Sequence, residues 1–208
     1  MASSPNTSKG EGFVRTYDLL TAIIEDANKA FELLASDQES QFLRRIAIRN
    51  VFTYIEASVQ IIKFEIKSDV RKNRYKKALS EKDVEFLNEE RIKSDGTKEG
   101  IMIQIQDNLK GTFKLAKKIW GLNINYLDCS GKQYRYFLKA KHTRNKLTHP
   151  RTFYDIEITD DDVSYAAVAF QWTKDGFIKL FEAKVSKILE TLPKQVQTAI
   201  KKRQKELD

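Results

Sequence analysis

Apolar residues recur every three to four positions through most of the chain and almost nowhere alternate strictly. That period marks one-sided helices rather than half-buried strands. From Phe13 to about Leu34, Leu19, Ile23, Ala27 and Phe31 fall on a single helical face. A polar break, "ASDQES", separates this segment from a longer helix predicted over about Gln41 to Arg71. At roughly 100° per residue, Arg45, Arg49, Thr53, Glu56, Gln60, Lys63 and Lys67 line up as one narrow polar stripe. Nearly everything else around the helix is apolar (Ile46, Val51, Ile55, Val59, Ile62, Ile66), as expected of a central, mostly buried element with the stripe solvated. Asn50 falls on the apolar side and needs a hydrogen-bond partner there.

Downstream, "ALSEKDVEFLNEERI" reads as a short amphipathic helix opened by a capping box of Ser80 and Asp83, with "SDGTKEG" as the loop after it. A further helix is expected over 101 to about 120; Ile101, Ile103 and Ile105 also alternate, which blurs its first turn. Ser130–Gly131–Lys132–Gln133 predicts a capping box for a helix that ends at His149. Pro150 enforces that stop, because proline disfavours the α conformation in the residue before it. "RTFYDIEI" is a link with a brief extended stretch. Thr159 then caps a long helix whose first turn carries Asp160, Asp161 and Asp162 at the positive end of the macrodipole. Its expected buried stripe runs Val163, Ala167, Phe170, Phe177, Phe181, Val185 and Ile188. Pro193 opens a short basic tail helix.

With no strand series, repeat or βαβ alternation, the fold class is all-α: a bundle of four to five main helices with short additional helices. The organisation read from the pattern is a disordered lead-in over 1–12, a helical domain over 13–192 and a basic helix or tail over 193–208. The 208 residues suffice for a real core, and a hydrophobic fraction of 41% argues against wholesale disorder. A single cysteine, Cys129, excludes an internal disulfide framework and suits a reducing, cytoplasmic setting. The opening "MASSPNTSKGEG" lacks the apolar core of a signal peptide, and no apolar run approaches the length that spans a bilayer, so no membrane association is expected.

Charge changes the picture more than composition does. The 37 basic and 29 acidic residues leave a formal net charge of +8, which points to a polyanionic partner, nucleic acid first. Between Asp128 and Asp155 there is no acid, while Lys132, Arg135, Lys139, Lys141, Arg144, Lys146 and Arg151 supply positive charge. Further basic runs stand at 67–77 and 201–208. Inside the one-signed segment lies "RNKLTHP", with Arg144, Asn145 and the second of only two histidines, His149.

Histidine can transfer protons near neutral pH, and the planar fork of arginine can hold two phosphate oxygens as charge develops. RNA brings its own nucleophile, the 2′-hydroxyl, so these groups suit its cleavage without a metal. Asn145 lies about 40° round the helix from His149, whereas Arg144 is about 140° away. Arg144 and His149 therefore converge only in a groove or across two chains. Other signals carry less. Gly131–Lys132 lacks the upstream glycine and strand of a phosphate loop. A helix N-terminus accounts for Asp160–Asp162 without a cation, and two histidines with one cysteine make a poor zinc set. No metal or cofactor is expected.

Arg144, Asn145 and His149 on an all-α chain resemble the HEPN superfamily, helical bundles marked by R-x(4–6)-H with a polar residue, often Asn, after the arginine. The layout over about 13–192 is similar: two long N-terminal helices, the motif late on a helix, a short link, then a long closing helix. The resemblance implies a metal-independent endoribonuclease, often a toxin or antiviral defence effector. Arg144, His149 and Asn145 would be catalytic in a composite site at a homodimer interface. Lys139, Lys141, Lys146 and Arg151 would then bind RNA, and Arg49 and Glu56 would support the site from behind. An antitoxin or regulatory partner is also implied. One departure stands out: toxins controlled by a nucleotidyltransferase carry tyrosine two positions after the histidine, where this chain has Arg151. Two other readings are a HEPN-like module that binds nucleotide, RNA or a partner without cutting, and a structural bundle in which His149 merely caps a helix.

Overall fold

The computed structural model describes residues 11–72, 74, 79–196 and 198. Six α-helices make up most of it: α1 (Glu11–Ser36), α2 (Gln41–Arg71), α3 (Glu81–Asn88), α4 (Ile105–Trp120), α5 (Lys132–Thr148) and α6 (Asp160–Glu190). A two-stranded hairpin, β1 (Glu90–Ile92) and β2 (Lys98–Gly100), and a 3-10 turn (Phe153–Ile156) complete the order. The chain is an all-α bundle, as its hydrophobic period predicts. Among the described residues no helix is long and apolar enough to cross a membrane. The expected lead-in over 1–12 falls mostly outside the described residues, with α1 beginning at Glu11, and so does most of the tail over 193–208.

The centre of the bundle is α2. Ser40 caps it, its hydroxyl accepting from the Leu43 N–H. Ile48, Val51, Phe52, Tyr54, Ile55, Val59, Ile62 and Ile66 are all essentially inaccessible, each contributing about 1.5–3 kcal/mol on burial. The helix packs against α1, α4, α5 and α6, and α5 lies along α6. Asn50 finds its partner across the first of these contacts, donating to the Asp26 carbonyl of α1 at 3.5 Å. At Gly176 of α6 the bundle closes so tightly that a Cβ would stand 3.1 Å from the Tyr126 carbonyl oxygen and 2.8 Å from Leu127 Cδ1.

Several local expectations change. The helix expected to run on to Ile92 stops at Asn88, where Glu89 takes the left-handed conformation with φ 55°. The antiparallel pairing Glu90 with Gly100 and Ile92 with Lys98 then builds a hairpin from what reads as a loop. Its turn places Gly96 at φ 80°, with the Thr97 N–H and hydroxyl donating to Asp95 Oδ1. Residues 101–104 precede α4 instead of forming its first turn. Ser130 does not cap α5: its hydroxyl and N–H both go to Asp128 Oδ1, at 2.6 and 2.8 Å, and Gly131 takes the N-cap position. The link after α5 is a 3-10 turn rather than extended. Thr159 caps α6 as expected, in a capping box with Asp162.

Two ionic clusters lie within the bundle, and the first corrects the reading of the α2 stripe as solvated. Lys63, expected on the polar face of α2, is only 1% exposed. Its ammonium donates to Glu89 Oε1 at 2.8 Å, and Gln60 and Asn108 donate to the same oxygen. On α6 the buried stripe turns through Gly176, Leu180 and Lys184, leaving Val185 and Ile188 at the surface. Lys184 reaches Glu65 and Asp69 of α2, both at 2.7 Å. Asp69 also accepts from Trp120 Nε1 at 3.1 Å and pairs with Arg74 at 3.0 Å. Charge thus ties α2, α4 and α6 together where their apolar faces leave off.

Candidate functional site

Helix α5 buries Tyr134, Phe137, Ala140, Thr143 and Leu147 and turns its remaining face to solvent. Arg144 sits at the margin between the two and reaches back across to α2. Its Nη2 forms an ion pair with Glu56 Oε1, its Nη1 donates to Asn145 Oδ1 at 3.4 Å, and the guanidinium lies 5.9 Å from the centre of the Phe52 ring. The Arg144 side chain keeps 29% of its surface exposed and that of Glu56 44%. The guanidinium is therefore held in place from one side and keeps N–H groups for a ligand on the other.

His149 is the C-cap of α5, its N–H closing the last turn onto the Asn145 carbonyl at 3.1 Å. Pro150 follows, and the helix ends as its sequence dictates. The imidazole is exposed and has no hydrogen-bond or ion-pair partner among the described residues. Five positions apart, Arg144 and His149 differ by about 140° in direction. Arg144 leans against α2 while His149 faces away from the bundle, with the exposed Asn145 between them in direction.

The other expected site residues divide into two groups. Lys146 and Arg151 are exposed beside the motif, and their side chains form no ion pair among the described residues. Lys139 and Lys141 are turned to the flanks. Lys139 donates to the Tyr165 hydroxyl of α6 at 3.0 Å and lies 4.3 Å from the centre of that ring. Lys141 is half-buried and donates to Gln106 Oε1 of α4 at 2.8 Å. Arg49 is exposed on α2, about two turns before Glu56, and contacts neither motif residue.

Acids near the motif are occupied by structure. Asp155 accepts the N–H groups of Arg151 and Thr152 at 2.9 and 3.0 Å, which hold its carboxyl below the usual range. Burial pushes Asp162 up, but hydrogen bonds from Thr143 and Thr159 outweigh it and hold this carboxyl low as well. Neither carboxylate forms an ion pair with a motif residue, although Lys146 contributes to holding both of them low.

Sequence reasoning missed the groups that fasten the link between α5 and α6. Gln41 exchanges two hydrogen bonds with the Ile158 backbone, its Nε2 donating to the carbonyl at 3.0 Å and its Oε1 accepting from the N–H at 2.8 Å. Arg44, buried at 7% exposure, donates to the same carbonyl at 2.8 Å and pairs with Asp160 at 2.6 Å. Arg45 donates to the Ile156 carbonyl at 3.1 Å. The only sequence signal for these contacts is a cluster of long polar side chains in the first turn of an otherwise apolar helix. Also missed were Phe153 and Tyr154, which stand 69% and 77% exposed directly after the motif. The chain matches no family model, no curated protein and no solved structure.

Proposed function

We propose that the chain is a metal-independent endoribonuclease of the HEPN type, acting as a homodimer in which two Arg144–His149 sets face one cleft. The observation that carries this reading is the contrast between the two motif side chains. Arg144 is oriented by Glu56, Asn145 and Phe52, whereas His149, at the end of a basic helix, has no partner among the described residues. A fixed cation and a free imidazole are the two components needed for cleavage by the ribose 2′-hydroxyl. A base takes the 2′-proton as that oxygen attacks the adjacent phosphorus, and an acid protonates the departing 5′-oxygen. The products are a 2′,3′-cyclic phosphate and a 5′-hydroxyl. The guanidinium stabilises the extra charge on the phosphorane oxygens.

The divergence of Arg144 and His149 on α5 favours a two-chain site, since a two-fold axis near this helix supplies the second proton-transfer group. Lys146 and Arg151 serve as phosphate contacts beside the motif, and Lys139 and Lys141 extend the basic surface along the helix. A toxin or antiviral role and an antitoxin or regulatory partner follow from the resemblance, and a cytoplasmic location from the single cysteine, Cys129. A second reading, a module that binds RNA or nucleotide without cutting, is favoured by the divergence of Arg144 and His149, which leaves no complete acid–base pair within one chain.

Purified protein incubated with RNA in EDTA, beside Arg144→Ala and His149→Ala, tests both. Cleavage that survives chelation, leaves 2′,3′-cyclic ends and disappears in both variants is the expected result. RNA binding without cleavage in the wild type, with affinity retained in His149→Ala, selects the binding module.

A further inference from the structure

We propose that Phe153 and Tyr154 form a stacking platform for an unpaired RNA base beside the motif, which makes single-stranded or looped-out RNA the ligand of this face. The proposal rests on the reading of the chain as an RNA-binding protein and adds a site and a ligand form to it. Both rings are more than two-thirds exposed, with centres 6.4 Å apart and planes at 75°. An edge-to-face pair covers at most one face of one ring, so flat aromatic surface stays open to a third ring.

The platform is braced. Asp155 caps the turn by accepting from Arg151 and Thr152, and Arg45 holds the Ile156 carbonyl at its far end. Two large aromatic side chains are thus presented to water on a fastened turn, four and five positions after His149. The charge around them selects the occupant. Lys146 and Arg151 are exposed beside the turn; the Asp155 carboxylate faces inward onto the turn's own N–H groups, and Glu157 is exposed just after it. Aromatic faces with a cationic rim suit a polyanion that carries flat rings. A duplex keeps its bases stacked inside and cannot offer them to such faces, whereas a single strand can.

The test uses His149→Ala as parent, so that binding is measured without turnover, with a fluorescein-labelled 12-nucleotide oligouridylate and a blunt RNA duplex of equal length. Adding Phe153→Ala and Tyr154→Ala should weaken single-strand binding about tenfold or more. It should leave duplex affinity and the salt dependence of binding within about twofold, because no phosphate contact is removed. In the parent carrying Tyr154→Trp, indole fluorescence should be quenched as the oligonucleotide is added. Equal losses for strand and duplex, or a loss below twofold for both, overturn the proposal. A change of oligomeric state in the double-alanine variant also overturns it and assigns the rings to contact between copies. If the parent binds neither RNA, the proposal falls together with the functional reading. Ring-dependent binding by a protein that never cuts RNA would keep the platform and remove only the nuclease.

Discussion

Replacing Lys184 by methionine removes one charge from the best-buried ionic cluster and keeps the length of the side chain. Lys184 is 4% exposed, Asp69 is inaccessible and Glu65 is 9% exposed. With Lys184 and Arg74 present, the cluster balances two carboxylates against two cations. Without Lys184, one buried negative charge has no counterpart. Breaking a buried pair from one side costs about 3–5 kcal/mol, and the ammonium also leaves its place 4.5 Å from the centre of the Trp120 ring. For a chain of this size about 1 kcal/mol corresponds to roughly 2–4 °C, so Tm should fall by about 6–20 °C. Urea unfolding followed by far-UV circular dichroism measures the loss, and an unchanged m-value shows that the folded state kept its compactness. Asp69→Asn keeps an acceptor for Trp120 Nε1 and removes the charge. Combined with Lys184→Met it should recover about 0.5–3 kcal/mol relative to the sum of the single variants. A loss below about 1 kcal/mol for Lys184→Met would refute the reasoning, because water would then be solvating carboxylates that are argued to be dry.

Glu56→Gln should lower Tm by no more than about 4 °C, since a half-exposed ion pair contributes only about 0–1 kcal/mol. By freeing Arg144 for phosphate it should raise single-stranded RNA affinity in the His149→Ala background and steepen the salt slope by about 0.7; weaker binding would mean that Glu56 is needed to orient the guanidinium. Burial raises the Glu89 carboxyl, but hydrogen bonds from Lys63, Gln60 and Asn108 prevail and hold it below its ordinary value of 4.5. Its folded pKa is therefore below its unfolded one, so its contribution to stability is complete above about pH 4.5 and drains away as pH falls through the folded value. Thermal melts over about pH 3–6 should show a flatter acid limb for Glu89→Gln than for the wild type.

The elements legible in the sequence are those whose determinants are local. The apolar period of α2, the Thr159 cap of α6 and the stop at Pro150 each involve residues within one or two turns of one another, and each stands in the structure as expected. The hairpin was hidden because three-residue strands are too short to show a period, although Asp95–Gly96 is a recognised turn pair. Lys63 reads as a surface charge, and nothing in the sequence marks Lys184 as buried, because their neutralising carboxylates come from other helices or from the residue after one. The failed Ser130 cap is a competition lost locally, to an aspartate two positions earlier. At the candidate site, the sequence brings Arg144, Asn145 and His149 together on α5. It offers Glu56 as a support only alongside Arg49, without naming Arg144 as its partner, and says nothing of Phe52, because those contacts depend on how α2 crosses α5.

The fastening of the α5–α6 link has a consequence for the order in which the molecule is made. Among the described residues, every side chain that hydrogen-bonds the backbone of residues 156–158 belongs to Gln41, Arg44 or Arg45, between 111 and 117 positions earlier in the chain. Closing loops of that length costs entropy that nearby contacts cannot supply, so the link is held only once α2 has docked. During synthesis α2 leaves the ribosome well before residues 156–158 exist. The anchor is thus waiting when its cargo arrives, and the turn carrying the exposed rings, capped locally by Asp155, gains its far-end hold as soon as residues 156–158 reach α2.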